Sequence, residues 1–186
     1  MPRIVEQESY GGAERRITRL GLATLWKELE EILTGFDLRV KEEKDANGGA
    51  AVRRILDQRF KQTGGWQFKQ VGEVDWTKCI KTGRAHVCVG VEIQFSARSD
   101  LMIVDIDHLR LAITAGEIDI GVLAVPSNRL GPFLTDRVGR FDDGRRAVQR
   151  ARASDLPILV LGLEHDGPGP PLPKQKTRQG KPPTLQ

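Results

Sequence analysis

The run His86-Val87-Cys88-Val89-Gly90-Val91-Glu92-Ile93-Gln94-Phe95 alternates without a break. Val87, Val89, Val91, Ile93 and Phe95 share one face, and His86, Cys88, Gly90, Glu92 and Gln94 share the other, which is the pattern of a β-strand with one apolar side. The second face closes with Glu92 and Gln94, two residues apart and therefore side by side. Upstream, Glu73-Val74-Asp75-Trp76 is a shorter alternation with Glu73 and Asp75 on one face. Thr82-Gly83 between the two runs reads as a hairpin turn. Two hairpin strands presenting Asp75 with Glu92 and Gln94 offer oxygen ligands to a hard metal ion, an arrangement suited to a nuclease.

Around this hairpin the chain alternates helices and strands. A polar, glycine-containing stretch opens it, up to Gly12. Leu22, Leu25, Trp26, Leu29, Ile32 and Leu33 recur at helical spacing, with Gly35 as a stop. After the charged segment 41–49, Ala51, Ile55, Leu56 and Phe60 mark a second helix that Gly64-Gly65 ends. Strands are expected over 67–71, 74–80 and 86–95. Ser99 or Asp100 caps a helix that runs to Ala115, with Leu101, Val104, Leu109 and Ala112 facing inward. Ile118 to Val125 is apolar apart from Asp119, as in a strand covered on both faces. Pro126-Ser127-Asn128 forms the loop at its carboxyl end, an arginine-rich helix spans 142–153, and a last strand spans 158–163. This order predicts an α/β fold, a mixed five-stranded sheet flanked by helices, in one domain over residues 1–166.

The 186 residues carry a net charge of +4, but unevenly. Residues 167–186 contain Lys174, Lys176, Arg178 and Lys181 and no acid; without these four, the body holds 25 basic and 25 acidic residues. A neutral body gives no general argument for nucleic acid binding, so any DNA-facing basic surface must be local. Six prolines and three glycines in 167–186 predict a disordered basic tail. No run approaches the roughly 18 apolar residues of a membrane span, and the N-terminus has no signal-peptide core. The chain is therefore expected to be cytoplasmic, with no membrane partner. Cys79 and Cys88 are placed for a disulfide across the hairpin, but the compartment favours reduced thiols.

Asp75, Glu92 and the backbone carbonyl of Ile93 form a donor set for Mg2+, which prefers carboxylate, carbonyl and water oxygens. Gln94 can orient a water or phosphate but brings no charge. On its own, Glu-x-Gln on a strand is an ordinary exposed face; Asp75 is what gives it meaning. Glu73 is either an assisting ligand or a solvated carboxylate, and Glu28 either a helix acid of the site or a member of a surface ion pair. Ser96, Arg98 and Ser99 follow the strand and offer contacts to DNA phosphates or base edges, or else a helix cap with a solvated arginine. Ser127 and Asn128 offer a second polar loop for base edges, or a common turn. Arg137, Arg140, Arg145, Arg146, Arg150 and Arg152 interleave with Asp136, Asp142, Asp143 and Asp155, as a phosphate-binding stripe or a solvated helix face. Cys79, His86 and Cys88 are three zinc-type ligands without a fourth or a CxxC pair. His108, in the helix after the strand, reads as a packed or solvated side chain. No glycine-rich phosphate loop, nucleophile elbow or dinucleotide fingerprint is present.

Several segments occur in a familiar order: Leu25-Trp26-Lys27-Glu28-Leu29-Glu30-Glu31, Leu38-Arg39-Val40-Lys41, Glu73-Val74-Asp75-Trp76, Val91-Glu92-Ile93-Gln94-Phe95-Ser96 and Leu156-Pro157-Ile158-Leu159-Val160-Leu161-Gly162-Leu163. From Leu25 to Asp166 the chain resembles the BglII-type restriction endonucleases, a branch of the PD-(D/E)xK nucleases with Glu-x-Gln where most relatives have Glu-x-Lys. The resemblance implies Asp75 and Glu92 as metal-binding carboxylates and Gln94 in the place of the catalytic lysine. It further implies Mg2+-dependent hydrolysis of double-stranded DNA by a homodimer at a palindromic site, paired functionally with a DNA methyltransferase. A repair or recombination nuclease of the same fold, or an inactive DNA-binding derivative, are the alternatives. Two departures stand out. Asp75 and Glu92 are 17 positions apart, wider than the family's usual hairpin, so the Cys79–Cys88 region is an insertion that preserves the site only if the hairpin extends in register. Ala97 also replaces a polar amide after Ser96, so no recognition sequence carries over.

Overall fold

The computed structural model describes residues 1–174 apart from Arg84, Ala97 and Asp136. Among the described residues the elements run β1 (Arg3–Ser9), α1 (Ala13–Arg19), α2 (Ala23–Thr34), β2 (Arg39–Val40), α3 (Gly49–Thr63), β3 (Gln67–Phe68), β4 (Trp76–Thr82), β5 (Ala85–Ile93), α4 (Met102–Thr114), β6 (Ile120–Pro126), α5 (Phe141–Arg150), β7 (Ile158–Glu164) and β8 (Gly167–Pro168). Six strands form one mixed sheet in the order β1-β7-β6-β5-β4-β3. Strands β5, β6 and β7 are parallel and joined by α4 and α5, whereas β1, β3 and β4 pair antiparallel.

The alternation in β5 separates two cores. Val87, Val89, Val91, Ile93 and Phe95 pack with Leu25, Leu29, Leu56 and Phe60 of α2 and α3. Strand β6 sends Val122 and Ala124 into that layer, and Leu123 and Val125 into a second one under α4 and α5. Its seven residues are all buried, as an apolar run covered on both faces requires. The polar face of β5 is thereby turned toward α4.

The mixed α/β sheet of the sequence reading is present with one more strand than expected. Strand β1 comes from the polar opening stretch: it is an edge strand whose Ile4, Glu6 and Glu8 are only half-buried, so it lacks the apolar face that periodicity detects. The inward face of α4 is also corrected. Met102, Ile106, Leu109 and Ala112 fill the space against β6, while Leu101 and Val104 turn outward at 46% and 44% exposure. The tail is ordered at its start, contrary to expectation. Strand β8 pairs parallel with β2, and the buried Asn47 side chain accepts from Leu172 N at 3.1 Å while Gly48 N donates to Leu172 O at 3.2 Å. Residues 175–186, the rest of the expected tail, lie outside the described residues.

The hairpin settles the insertion. Trp76 faces Val91, Cys79 faces Cys88 and Thr82 faces Ala85 in one unbroken register, with Gly83 in the left-handed region at φ 62° near the tip. The added residues therefore lengthen the two strands together. Cys79 and Cys88 are joined in a disulfide, which corrects the expectation of free thiols and removes them as zinc ligands. Direct opposition in the register is what brings the sulfurs together. At the other end of the hairpin, a Cβ on Gly49 would lie 1.8 Å from the carbonyl oxygen of Phe95. Only glycine lets the first turn of α3 close against the end of β5, which carries Arg53, one turn later, to the same place. No helix among the described residues is long and apolar enough to cross a membrane.

Candidate active site

One step beyond the Trp76–Val91 pair, the register sets Asp75 opposite Glu92. Asp75 Oδ2 accepts the backbone N–H of Ile93 at 3.0 Å, and the Glu92 carboxyl hydrogen-bonds the Asp75 carboxylate. Both are buried, as is Gln94. Gln94 extends the ladder by donating its N–H to Ala124 O, and its side-chain Nε2 donates to Asp105 Oδ2 at 2.6 Å. The structure thus gathers the sequence-expected Asp75, Glu92, Ile93 and Gln94 at the carboxyl end of β5.

Helices from both faces complete the cluster. From α4, His108 Nδ1 lies 3.0 Å from Glu92 Oε1, and Asp105, three residues earlier, adds a third carboxylate. Ligand atoms of Glu92, Asp105 and His108 all lie within 4.8 Å of one another. From α3, Arg53 Nη2 reaches Asp75 Oδ1 at 2.9 Å and Nη1 donates to the Ile93 carbonyl at 2.6 Å. Asp57 holds Arg53 Nε at 3.0 Å with either oxygen, and Asp57 in turn accepts Trp76 Nε1 at 3.0 Å.

Three carboxylates share this site with one guanidinium and one imidazole. Burial, and next the charge of Asp75, push the Glu92 carboxyl up to about 11. Burial likewise raises Asp105 to about 7, with Asp75 adding to it and the Gln94 hydrogen bond opposing it. Such shifts mark carboxyl groups withdrawn from water and set close to another acid. Two sets of donors therefore suit a divalent cation, Asp75/Glu92/Ile93 carbonyl and Glu92/Asp105/His108, with Glu92 common to both.

Sequence reasoning missed Arg53 and Asp105, and it read His108 as a packed or solvated side chain. The available signal was the Asp105-x-x-His108 spacing, which puts an acid and an imidazole on one face of the helix after β5. Glu28 is drawn away from the site: it accepts Trp66 Nε1 at 2.7 Å and pairs with Lys78 at 2.6 Å. Glu73 is exposed and paired with Lys69 at 2.6 Å. Ser96 and Arg98 are exposed just past β5 and Ser99 is half-buried, with Arg98 gripping both oxygens of Asp100. The second loop is corrected. Ser127 is buried and donates to Glu164 at 2.7 Å; Asn128 spends its amide on Glu6 Oε1 and on the N–H of Asp142. Both side chains are thus engaged inside the protein, with Ser127 buried and Asn128 half-buried. In α5, Arg145 and Arg146 pair with Asp142 and Asp143, as a solvated helix face does.

The raised acids fix the sign of a pH dependence. Glu92 moves from 4.5 to about 11 and Asp105 from 3.8 to about 7, so the folded state prefers the protonated forms. Their stabilising effect is complete below the unfolded values and is lost as pH climbs through the folded ones. The melting temperature of metal-free protein is accordingly expected to fall as pH rises from about 4.5 toward about 11, and added Mg2+ to raise it most at the alkaline end. A flat or rising profile without metal, measured by scanning calorimetry, would contradict the charge assignment.

No curated protein matches this chain in sequence. The family model described as restriction endonuclease BglII/BglIII matches residues 5–163, from within β1 to the penultimate residue of β7, and takes in every residue of the cluster above. Restriction endonucleases are sequence-specific, DNA-cleaving hydrolases that generally use a divalent metal. With its mixed sheet, its extended hairpin and its opposed Asp75 and Glu92, the chain belongs to the BglII/BglIII restriction endonuclease family.

Proposed function

We propose that the protein is a type II restriction endonuclease that hydrolyses phosphodiester bonds of double-stranded DNA at a palindromic sequence, with Mg2+ and as a homodimer. The observation that carries this reading is the burial of Asp75 beside Glu92 at the end of the hairpin, where burial first and the Asp75 charge second favour the protonated Glu92. That donor set fits a hard divalent cation: two carboxylates and the Ile93 carbonyl supply oxygens, and a cation would relieve the repulsion that raises Glu92. Asp75, Glu92 and Ile93 would hold it. When bound, the ion supplies Lewis acidity toward the phosphate and lowers the pKa of an attacking water.

The remaining residues act around those oxygens. Gln94, held by Asp105, orients the water or phosphate through an amide dipole and adds no charge of its own. His108 steadies Glu92 from α4. Ser96, Arg98 and Ser99 leave β5 directly beside the cluster and are proposed as DNA contacts, Arg98 toward a phosphate or guanine edge. The exposed Leu101 and Val104, with Leu111 at 58% exposure, give α4 an apolar outer side suited to a two-fold partner, and a palindromic site calls for that symmetry. Such an activity is cytoplasmic, and it requires a paired DNA methyltransferase that protects the host's own sites.

Digestion of sequenced plasmid or phage DNA with Mg2+, followed by sequencing of the ends, tests activity and specificity together. Discrete fragments with one recurrent end are expected, and Glu92→Ala should abolish them while DNA binding persists and the alkaline fall in melting temperature flattens. Unimpaired cleavage by Glu92→Ala would refute the site, and preference for branched DNA would point to repair. For the dimer, Leu111→Arg should shift sedimentation from dimer to monomer. A native protein that already sediments as a monomer with specific DNA bound would contradict the two-fold arrangement.

A further inference from the structure

Arg53 occupies the place that the proposed function gives to a metal. Its Nη2 lies 2.9 Å from Asp75 Oδ1 and its Nη1 2.6 Å from the Ile93 carbonyl, two of the three oxygens proposed to hold Mg2+. Oxygen ligands of Mg2+ sit at about 2.0–2.1 Å in near-octahedral directions, so an ion on these two atoms would be in contact with the guanidinium. A guanidinium does not give up its proton in a protein, and like charges at that separation repel strongly where water is scarce. The two cations therefore compete for these oxygens, each weakening the other's hold.

Arg53 also has somewhere to go. Asp57, one turn along α3, holds its Nε at 3.0 Å with both carboxylate oxygens and is itself fixed by Trp76 Nε1 at 3.0 Å. The arginine side chain keeps 19% exposure and Asp57 offers it two oxygens, so the whole guanidinium can turn out of the site and re-pair with Asp57. Close packing of Gly49 on the Phe95 carbonyl holds the α3 backbone in place, which leaves side-chain rotation as the available motion.

We propose that Arg53 is an internal counter-cation that exchanges with the metal. In the metal-free protein its guanidinium bridges Asp75 Oδ1 and the Ile93 carbonyl, and it withdraws onto Asp57 when a divalent ion takes those oxygens. Arg53 is thus a positioning residue that sets the metal affinity of the site by competing for its oxygens. This inference rests on the metal reading of Asp75, Glu92 and Ile93.

Titration calorimetry of the metal-free full chain with Mn2+, in the absence of DNA, separates exchange from a merely structural ion pair. Removing the competitor should tighten binding, so Arg53→Gln is expected to bind Mn2+ about tenfold more tightly than wild type, the scale of one charge-assisted hydrogen bond. A structural salt bridge predicts the reverse, because its loss would loosen the ligands. Wild-type protein carrying nitrogen-15 arginine gives an independent reading if Arg53→Gln fails to fold. The Arg53 Nε–H resonance, identified by its loss in Arg53→Lys, should move as Mg2+ is added. Equal or weaker Mn2+ binding by Arg53→Gln, or a resonance unmoved at metal saturation, overturns the exchange alone. Absence of Mn2+ binding by both proteins overturns the metal reading of the site, and the exchange with it.

Discussion

Because side chains alternate along a strand, a slip of one residue between β4 and β5 would send Glu92 into the apolar layer under α2 and α3 and turn Val91 toward α4. Everything at the cluster depends on that slip not occurring. The Trp76–Val91 and Cys79–Cys88 pairs fix the alignment, the disulfide locks it covalently, and the Ile93 N–H to Asp75 bond extends it one residue past the strand. The lengthened hairpin therefore leaves Asp75 opposite Glu92, as a shorter one of the same register would.

Bringing two carboxylates together in the interior creates an electrostatic problem that the surrounding helices are arranged to contain. Asp105 makes it worse, since three acids now share the end of β5. Helix α3 answers with Arg53 from one face of the sheet and α4 with His108 from the other, yet Glu92 still keeps its proton. A fold that needed only stability would do better with apolar side chains here. A buried acidic cluster short of one positive charge is intelligible as a place where a cation is received. It lies at the carboxyl end of the parallel strands β5 and β6, just before the exposed Ser96 and Arg98.

Strand β5 and the layered α/β arrangement were legible because their signals are strong and local. Strict alternation identified β5, and a continuous apolar run identified β6. Elements stabilised by polar contacts were not legible. Strand β1 lies at the sheet edge with Glu6 serving Asn128, and the proline segment after β8 is held by Asn47. At the site, Asp75, Glu92 and Gln94 could be named from strand alternation and a hairpin turn. Arg53, Asp105 and His108 could not, because they arrive from helices whose rotation about their axes is set by packing. The phase of α4 shows this directly: Met102 and Ile106 take the interior, which turns Leu101 and Val104 out and aims Asp105 and His108 at β5. Ser127 and Asn128 have side chains suited to reading bases, but residue type says nothing of partners as distant in sequence as Glu164 and Glu6.

Diffraction from crystals of the metal-free protein soaked in Mn2+, an ion that shares the oxygen preference of Mg2+, locates the cation directly. An anomalous peak bonded at about 2.1 Å to carboxylate oxygens of both Asp75 and Glu92, with the Ile93 carbonyl as a third ligand, is the expected result. A peak held by Glu92, Asp105 and His108 without Asp75, or no peak at the end of β5, would contradict the assignment of the opposed hairpin carboxylates as the metal site.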